Sequence, residues 1–257
     1  MEYVIICIVA FFASILTFFS GFGLGTILLP VFALFFPIEL AIALTGVVHF
    51  FNNIFKLMLV GHNANKKVLL YFGVPAIIAA LIGAYLLVNI TDIEPLYTYF
   101  IGSKSFEITT VKLVIAFLLI TFAIMELSPF LNSLKFNKKH LPLGGFLSGF
   151  FGGLSGHQGA LRSAFLINSG LNKEAFIGTA VVISCFVDFS RLSVYSTRLF
   201  SSGLDENFPL IFSATLSAIT GAFIGNKLLK KVTFGFIQKL IAILLIGISI
   251  ALGIGII

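Results

Sequence analysis

The stretch Gly152-Gly-Leu-Ser-Gly-His-Gln-Gly-Ala-Leu-Arg162-Ser163 sets a guanidinium, an imidazole and a carboxamide among small and apolar residues. An Arg at membrane depth costs about 2.5–3.5 kcal/mol on insertion scales, so it has either a partner or a task. Arg162 falls just after Gly159, at the start of a short helix. Amide N–H groups at Gly159 and Ala160 and the positive end of the helix dipole attract anions there. The guanidinium adds a planar fork that fits two oxygens of a carboxylate, sulfite or sulfonate. Gln158 can donate to the same anion while accepting from Arg162. Ser163 and Ser155 offer hydroxyls, and His157 can carry a proton near neutral pH. Each residue also has a plainer reading. Arg162 and His157 would then tie carbonyls freed by the glycine break, and the serines would bond their own helices.

An earlier break, Ser20-Gly-Phe-Gly-Leu-Gly-Thr26, would aim backbone N–H groups at Gly25 and Thr26 toward the same anion. Broken apolar segments at corresponding places in two halves point to a carrier's binding site near the membrane midplane. The helices that follow add polar faces. His49, Asn52, Asn53 and Lys56 lie at i, i+3, i+4 and i+7, with Thr45 extending that side. In the second half Ser184, Asp188 and Arg191 share such a face, with Thr179 and Ser190 nearby. Asp188 and Arg191, at i and i+3, are expected to pair. Lys56 and Arg191 are near enough to helix ends that snorkelling to the interface is favoured. Asn52 and Asn53 serve helix–helix hydrogen bonding or substrate contact. His49 and Asp188 join His157 as candidates for carrying a coupling proton.

The elements that must position these residues are apolar throughout. Hydrophobic residues make up 59% of the 257 residues and charged residues 10%, with a mean hydropathy of +1.12. A soluble domain carries about 25% charged residues, so this is an all-α polytopic membrane protein whose partner is the lipid bilayer. The net charge of +6 is no nucleic-acid signal, because the lysines cluster in short loops where they set topology. Cys7 and Cys185 fall in different apolar segments and are expected in the core, not as a redox pair. Residues 3–19 lack a basic n-region and a cleavage site, and are read as a retained span.

The apolar segments are roughly 3–19, 24–36, 39–60, 68–90, 109–128, 141–153, 159–169, 175–195, 208–226 and 233–256. Six have full bilayer length. The short ones flank the two breaks, as hairpins meeting near mid-membrane would. Sliding 12–60 onto 146–194 superposes Phe12 on Phe146, Ser14 on Ser148, Gly25 on Gly159, Thr45 on Thr179 and Phe55 on Phe189. The chain is therefore expected to be two repeats, 1–134 and 135–257. Lys66-Lys67, Lys135/Lys138/Lys139 and Lys227/Lys230/Lys231 all reach the cytoplasm if each hairpin returns to its own side. The halves are then inverted, each a re-entrant helical hairpin plus three transmembrane helices, with both termini outside.

Some chemistry is excluded. The chain has no His-Glu-x-x-His and no Walker loop, and no Gly-x-Ser-x-Gly. Acids within the membrane are too few for a paired-aspartate protease. The Gly-Phe-Gly-Leu-Gly run follows a membrane helix, not a strand, so it is no dinucleotide loop. Neither a metal nor a cofactor is expected.

The duplicated break, with Gly-x-Gly-x-Gly followed by Pro30 and then Phe146-Leu-Ser-Gly-Phe-Phe-Gly-Gly-Leu-Ser-Gly, resembles the TauE/SafE family of sulfite and organosulfonate exporters. The resemblance covers nearly the whole chain. It departs from the family pattern at Ser-Gly-His-Gln-Gly in the second turn and at Ala164, where Pro30 stands in the first. The resemblance implies export of a small sulfur-containing anion across the cytoplasmic membrane, driven by an ion gradient. The alternatives from the residues alone are an anion channel, which needs a continuous polar path, and an intramembrane enzyme or assembly subunit, which no catalytic constellation supports.

Overall fold

The computed structural model describes residues 1–18, 23–128, 136–167, 169–199, 205–228 and 234–257. Ser20, Gly21 and Phe22 of the first break and Lys135, Lys230 and Lys231 of the basic loops lie outside the described residues.

Apolar runs become helices, and their lengths separate two kinds. The long ones are α3 (Ile38–Val60), α4 (Lys66–Thr91), α5 (Thr110–Leu127), α8 (Lys173–Leu199), α9 (Phe208–Leu228) and α10 (Phe234–Gly253). The short ones are α1 (Glu2–Thr17), α2 (Leu24–Ala33), α6 (Leu141–Ser155) and α7 (Gly159–Leu166). At 1.5 Å per residue none of the short four covers a hydrocarbon core of about 30 Å by itself. They pack as two hairpins, α1 on α2 and α6 on α7, flanking the two glycine breaks. Of the six segments of full bilayer length, four are long and apolar enough to cross a membrane among the described residues: Ile38–Asn63, Lys66–Thr91, Lys173–Ser196 and Phe208–Lys227. α5 has 18 residues and α10 has 20.

Local chemistry explains the ends and irregularities. The Thr109 side chain accepts from the Lys112 amide, and Asn65 accepts from Val68 N–H, so both helices start on a capped amide. Gly156 ends α6 with φ 82 and donates its N–H to Gly152 O at 3.0 Å; the left-handed region suits glycine. Pro75 cannot donate to a carbonyl one turn back, and the backbone of α4 widens into a π segment, Leu69–Gly73, just before it.

Packing is closest where side chains are absent. A Cβ built on Gly145, Gly149 or Gly153 of α6 would meet the carbonyl oxygens of Phe72, Ala76 and Ala80 of α4 at 2.1, 2.0 and 2.1 Å. Gly83 returns the contact: a Cβ built there would lie 2.1 Å from Phe150 O. Similar contacts join α9 to α1, where a Cβ on Gly221 would lie 2.2 Å from Phe11 O and one on Gly225 3.0 Å from Ile15 O. Small residues let backbones touch in membranes, where association depends on packing and not on expelling water. The remaining principal pairs are α3 with α8 and α5 with α10. Large apolar side chains such as Phe51, Ile78, Phe117, Phe189 and Ile243 point outward, the direction of lipid.

One element departs from the all-helical expectation. Residues Tyr97–Ile101 (β1) and Lys104–Ile108 (β2) form an antiparallel hairpin between α4 and α5. Gly102, with φ 63, begins its two-residue turn, and glycine is what such a tight turn selects. Tyr97, Tyr99 and Phe106 stack along one face. The Tyr99 hydroxyl donates to Ile254 O at 2.5 Å, fastening the hairpin to the end of α10.

Candidate functional site

The polar residues converge on α8, where Asp188 is wholly buried. Its Oδ2 accepts from His49 Nδ1 at 2.6 Å and from Asn53 Nδ2 at 3.1 Å, both on α3. Its Oδ1 accepts from Gln158 Nε2 at 3.2 Å, in the second glycine turn, and from Arg191 Nε at 3.0 Å. The expected i, i+3 pair of Asp188 and Arg191 forms, with Arg191 Nη2 at 2.9 Å from Oδ1. A buried carboxylate needs this many donors, because desolvation otherwise outweighs its attractions.

Arg162 is 2% exposed. Its Nη1 donates to Gln158 Oε1 at 3.1 Å and to Ser184 Oγ at 2.5 Å. The sequence-expected Gln158–Arg162 bond is thus present, and Gln158 bridges Arg162 to Asp188. Gly159 is buried and Ala160 half-buried at the start of α7, which has no side-chain cap. The Ser163 hydroxyl has no hydrogen-bond partner among the described residues, while Ser155 bonds Phe151 O on its own helix at 3.0 Å. Ser148 supports the turn by donating to Gln158 O at 2.9 Å.

His157 faces elsewhere. Its Nδ1 lies 3.1 Å from Ser155 O, and its ring stacks on Phe122 of α5 with centroids 5.4 Å apart. These contacts hold the ring to its own turn and against α5. Its Nε2 has no hydrogen-bond partner among the described residues.

The first break meets this cluster. A Cβ on Gly25 would lie 3.6 Å from the His49 ring and 3.8 Å from Gly156 O, so the two turns are nearly in contact. Thr26 is buried beside it. The two asparagines diverge. Asn53 serves Asp188. Asn52, with its amide turned so that both ends are satisfied, donates to Ala218 O and Ser14 Oγ, both at 3.2 Å, and accepts from Lys56 Nζ at 3.3 Å. Asn52 therefore joins α3 to α9 and α1 and also holds Lys56.

Lys56 and Arg191 correct the snorkelling expectation. They are 5% and 1% exposed. Lys56 Nζ sits 5.5 Å over the Phe18 ring. Arg191 is wedged between Gly46 and Gly156, where an added Cβ would come within 3.3 and 2.7 Å of its guanidinium. Distance to a helix end does not decide snorkelling when neighbouring helices close over the side chain. Both residues belong to the buried polar cluster. The signal was present in the i, i+3, i+4, i+7 spacing from His49 to Lys56. Tyr195, whose hydroxyl donates to Gly153 O, was not foreseen.

A cavity of about 10 Å³ lies among Thr17, Phe18, Leu24, His49, Asn53, Lys56, Val181 and Ser184. That is room for about one water. Around it, the described buried residues include three basic side chains, Lys56, Arg162 and Arg191, and one acid, Asp188. Cys185 is also buried nearby on α8, and Cys7 is half-buried; both thiols are free.

Long apolar helices around a buried, donor-rich centre define a multi-pass membrane protein of the transporter class. The family model of the sulfite exporter TauE/SafE matches residues 6–252. The chain belongs to that family, whose members are transporters and not enzymes. No curated protein and no solved structure matches it.

Proposed function

We propose that this chain is a secondary carrier that exports a small sulfur-containing oxyanion, such as sulfite or a sulfonate, across the cytoplasmic membrane. The observation that carries this reading is the excess of basic groups in the apolar interior, beside the contact of the two glycine turns. Buried charge on this scale is retained where a substrate needs it. Arg162, Gln158, His49, Asn53 and Lys56 form the donor set, with amides at Gly25-Thr26 and Gly159-Ala160 and the Ser163 hydroxyl as further contacts. The broken helices repeated in the two halves favour a carrier over a channel, which needs a continuous polar path.

The proposed frame is two inverted repeats, 1–134 and 135–257, each a re-entrant hairpin and three spans. The packing supports it: exchanging the halves turns the α4–α6 pair into α9–α1 and returns α3–α8 and α5–α10 to themselves. Single cysteines replacing Lys66, Lys138 and Lys230 should then react with an impermeant reagent from the cytoplasmic side alone. Labelling of position 230 from outside would replace this frame with single crossings.

Coupling is assigned to protons, with His49, Asp188 and His157 as candidates and the His49–Asp188 pair preferred on geometry. Counterflow of labelled sulfite in vesicles tests both transport and coupling. Exchange should occur and should respond to an imposed pH gradient. The His49→Gln variant should lose that response, and His157→Gln should keep it. The reverse outcome would move the coupling role to His157, and absence of counterflow would remove the carrier reading.

A further inference from the structure

We propose that Asp188 is a built-in counter-anion that the substrate must displace, so that it competes with the substrate for the site's donors. The inference rests on the anion-carrier reading above. His49 and Asn53 line the cavity, and both already donate to Asp188 Oδ2, at 2.6 and 3.1 Å. Oδ1 is occupied by Gln158 and Arg191 at 3.2 and 3.0 Å. A carboxylate has about four acceptor positions, so Asp188 is saturated. An oxyanion entering the cavity meets its nearest donors turned toward another oxyanion of the same chemistry.

Two anions sharing these donors would repel strongly in an interior of low dielectric. Either the substrate stays out, or Asp188 gives up its place. The exchange reaches further, because Gln158 holds Arg162 through Oε1 at 3.1 Å while holding Asp188 through Nε2. Releasing Asp188 therefore frees the carboxamide that positions Arg162. The device keeps buried donors satisfied when no substrate is bound, which matters because an unpaired buried cation is costly. It also sets a threshold. An anion that replaces several hydrogen bonds at once can dislodge Asp188, whereas one offering a single weak contact cannot.

The test compares sulfite binding by purified wild type and Asp188→Asn, using calorimetry and thermal shift at one ionic strength. Asparagine keeps the shape and one acceptor oxygen but removes the charge. Asp188→Asn should bind sulfite about tenfold tighter or more. Without sulfite its Tm should fall, because Arg191 has lost its counter-ion. Equal or weaker binding by a monodisperse Asp188→Asn protein overturns the inference and makes Asp188 a support of the site. A second measurement leaves position 188 unchanged. With Asp92 and Asp205 replaced by Asn, Asp188 is the one aspartate in the sequence. Its 13C-labelled carboxylate stretch should shift when sulfite is added, and an unmoved band at saturation overturns the inference equally. Sulfite binding by wild type with no gain in Asp188→Asn defeats the competition alone. Binding by neither protein defeats the carrier reading as well.

Discussion

Arg162→Ala is expected to abolish oxyanion binding while the protein still inserts and stays monodisperse. The guanidinium sits where Gln158 of the second turn and Ser184 of α8 converge. Its removal takes away both the charge and the fork that suit an oxyanion. Arg162→Lys separates the two contributions. A lysine keeps the charge but cannot satisfy Gln158 and Ser184 from one planar group. Binding should then weaken by about 1.5–3 kcal/mol, the scale of a hydrogen bond to a charged group. Calorimetry with sulfite on both variants is the measurement. Wild-type affinity in Arg162→Ala would make the residue structural and shift the site to the His49–Lys56 face of α3, which already lines the cavity.

The largest effect on stability is expected at Gly149. A methyl there would lie 2.0 Å from Ala76 O and 2.5 Å from its Cα, and neither is a side chain that can swing away. Helices α4 and α6 would have to separate, and Gly145 and Gly153 on the same face would lose their contacts as well. Overpacking of this kind costs about 1–3 kcal/mol, occasionally more. For a chain of this size each kcal/mol lowers Tm by roughly 2–4 °C. Gly149→Ala should therefore melt several degrees lower, and Gly149→Leu should yield no monodisperse protein. Gly247→Ala is the control, because nothing among the described residues lies within 4 Å of its added methyl. Equal melting of the Gly149→Ala and Gly247→Ala proteins would show that the close approach is not what holds α6.

Helices were legible in the sequence because a membrane span is an apolar length, and length survives without a partner. The two breaks were legible because glycines cluster there, and Gly23 and Gly156 take positive φ values of 114 and 82 that other residues resist. The Asp188–Arg191 pair followed from spacing along one helix. What could not be seen was contact between helices. His49 and Asp188 are 139 positions apart, and no periodicity on α3 announces a carboxylate on α8. The burial of Lys56 depends on Phe18 and Asn52 closing over it, which helix-end distance does not reveal. The β-hairpin was missed for a different reason. Alternation from Tyr97 to Ile108 around Gly102 was present, but a search for long apolar runs passes over strands of five residues.

The glycine contacts also decide which parts can move against each other. Backbone pressed on backbone fixes α6 to α4 and α1 to α9, so each hairpin's longer arm is fastened to a span from the opposite half of the chain. The stiff bodies of the molecule are these crossed pairs, not the stretches before and after residue 135. Rocking between them would shear the α3–α8 seam, where His49 and Asn53 on one side hold Asp188 on the other. Under the proposed carrier function, the bonds an arriving anion would disturb are the same bonds that such a movement would strain.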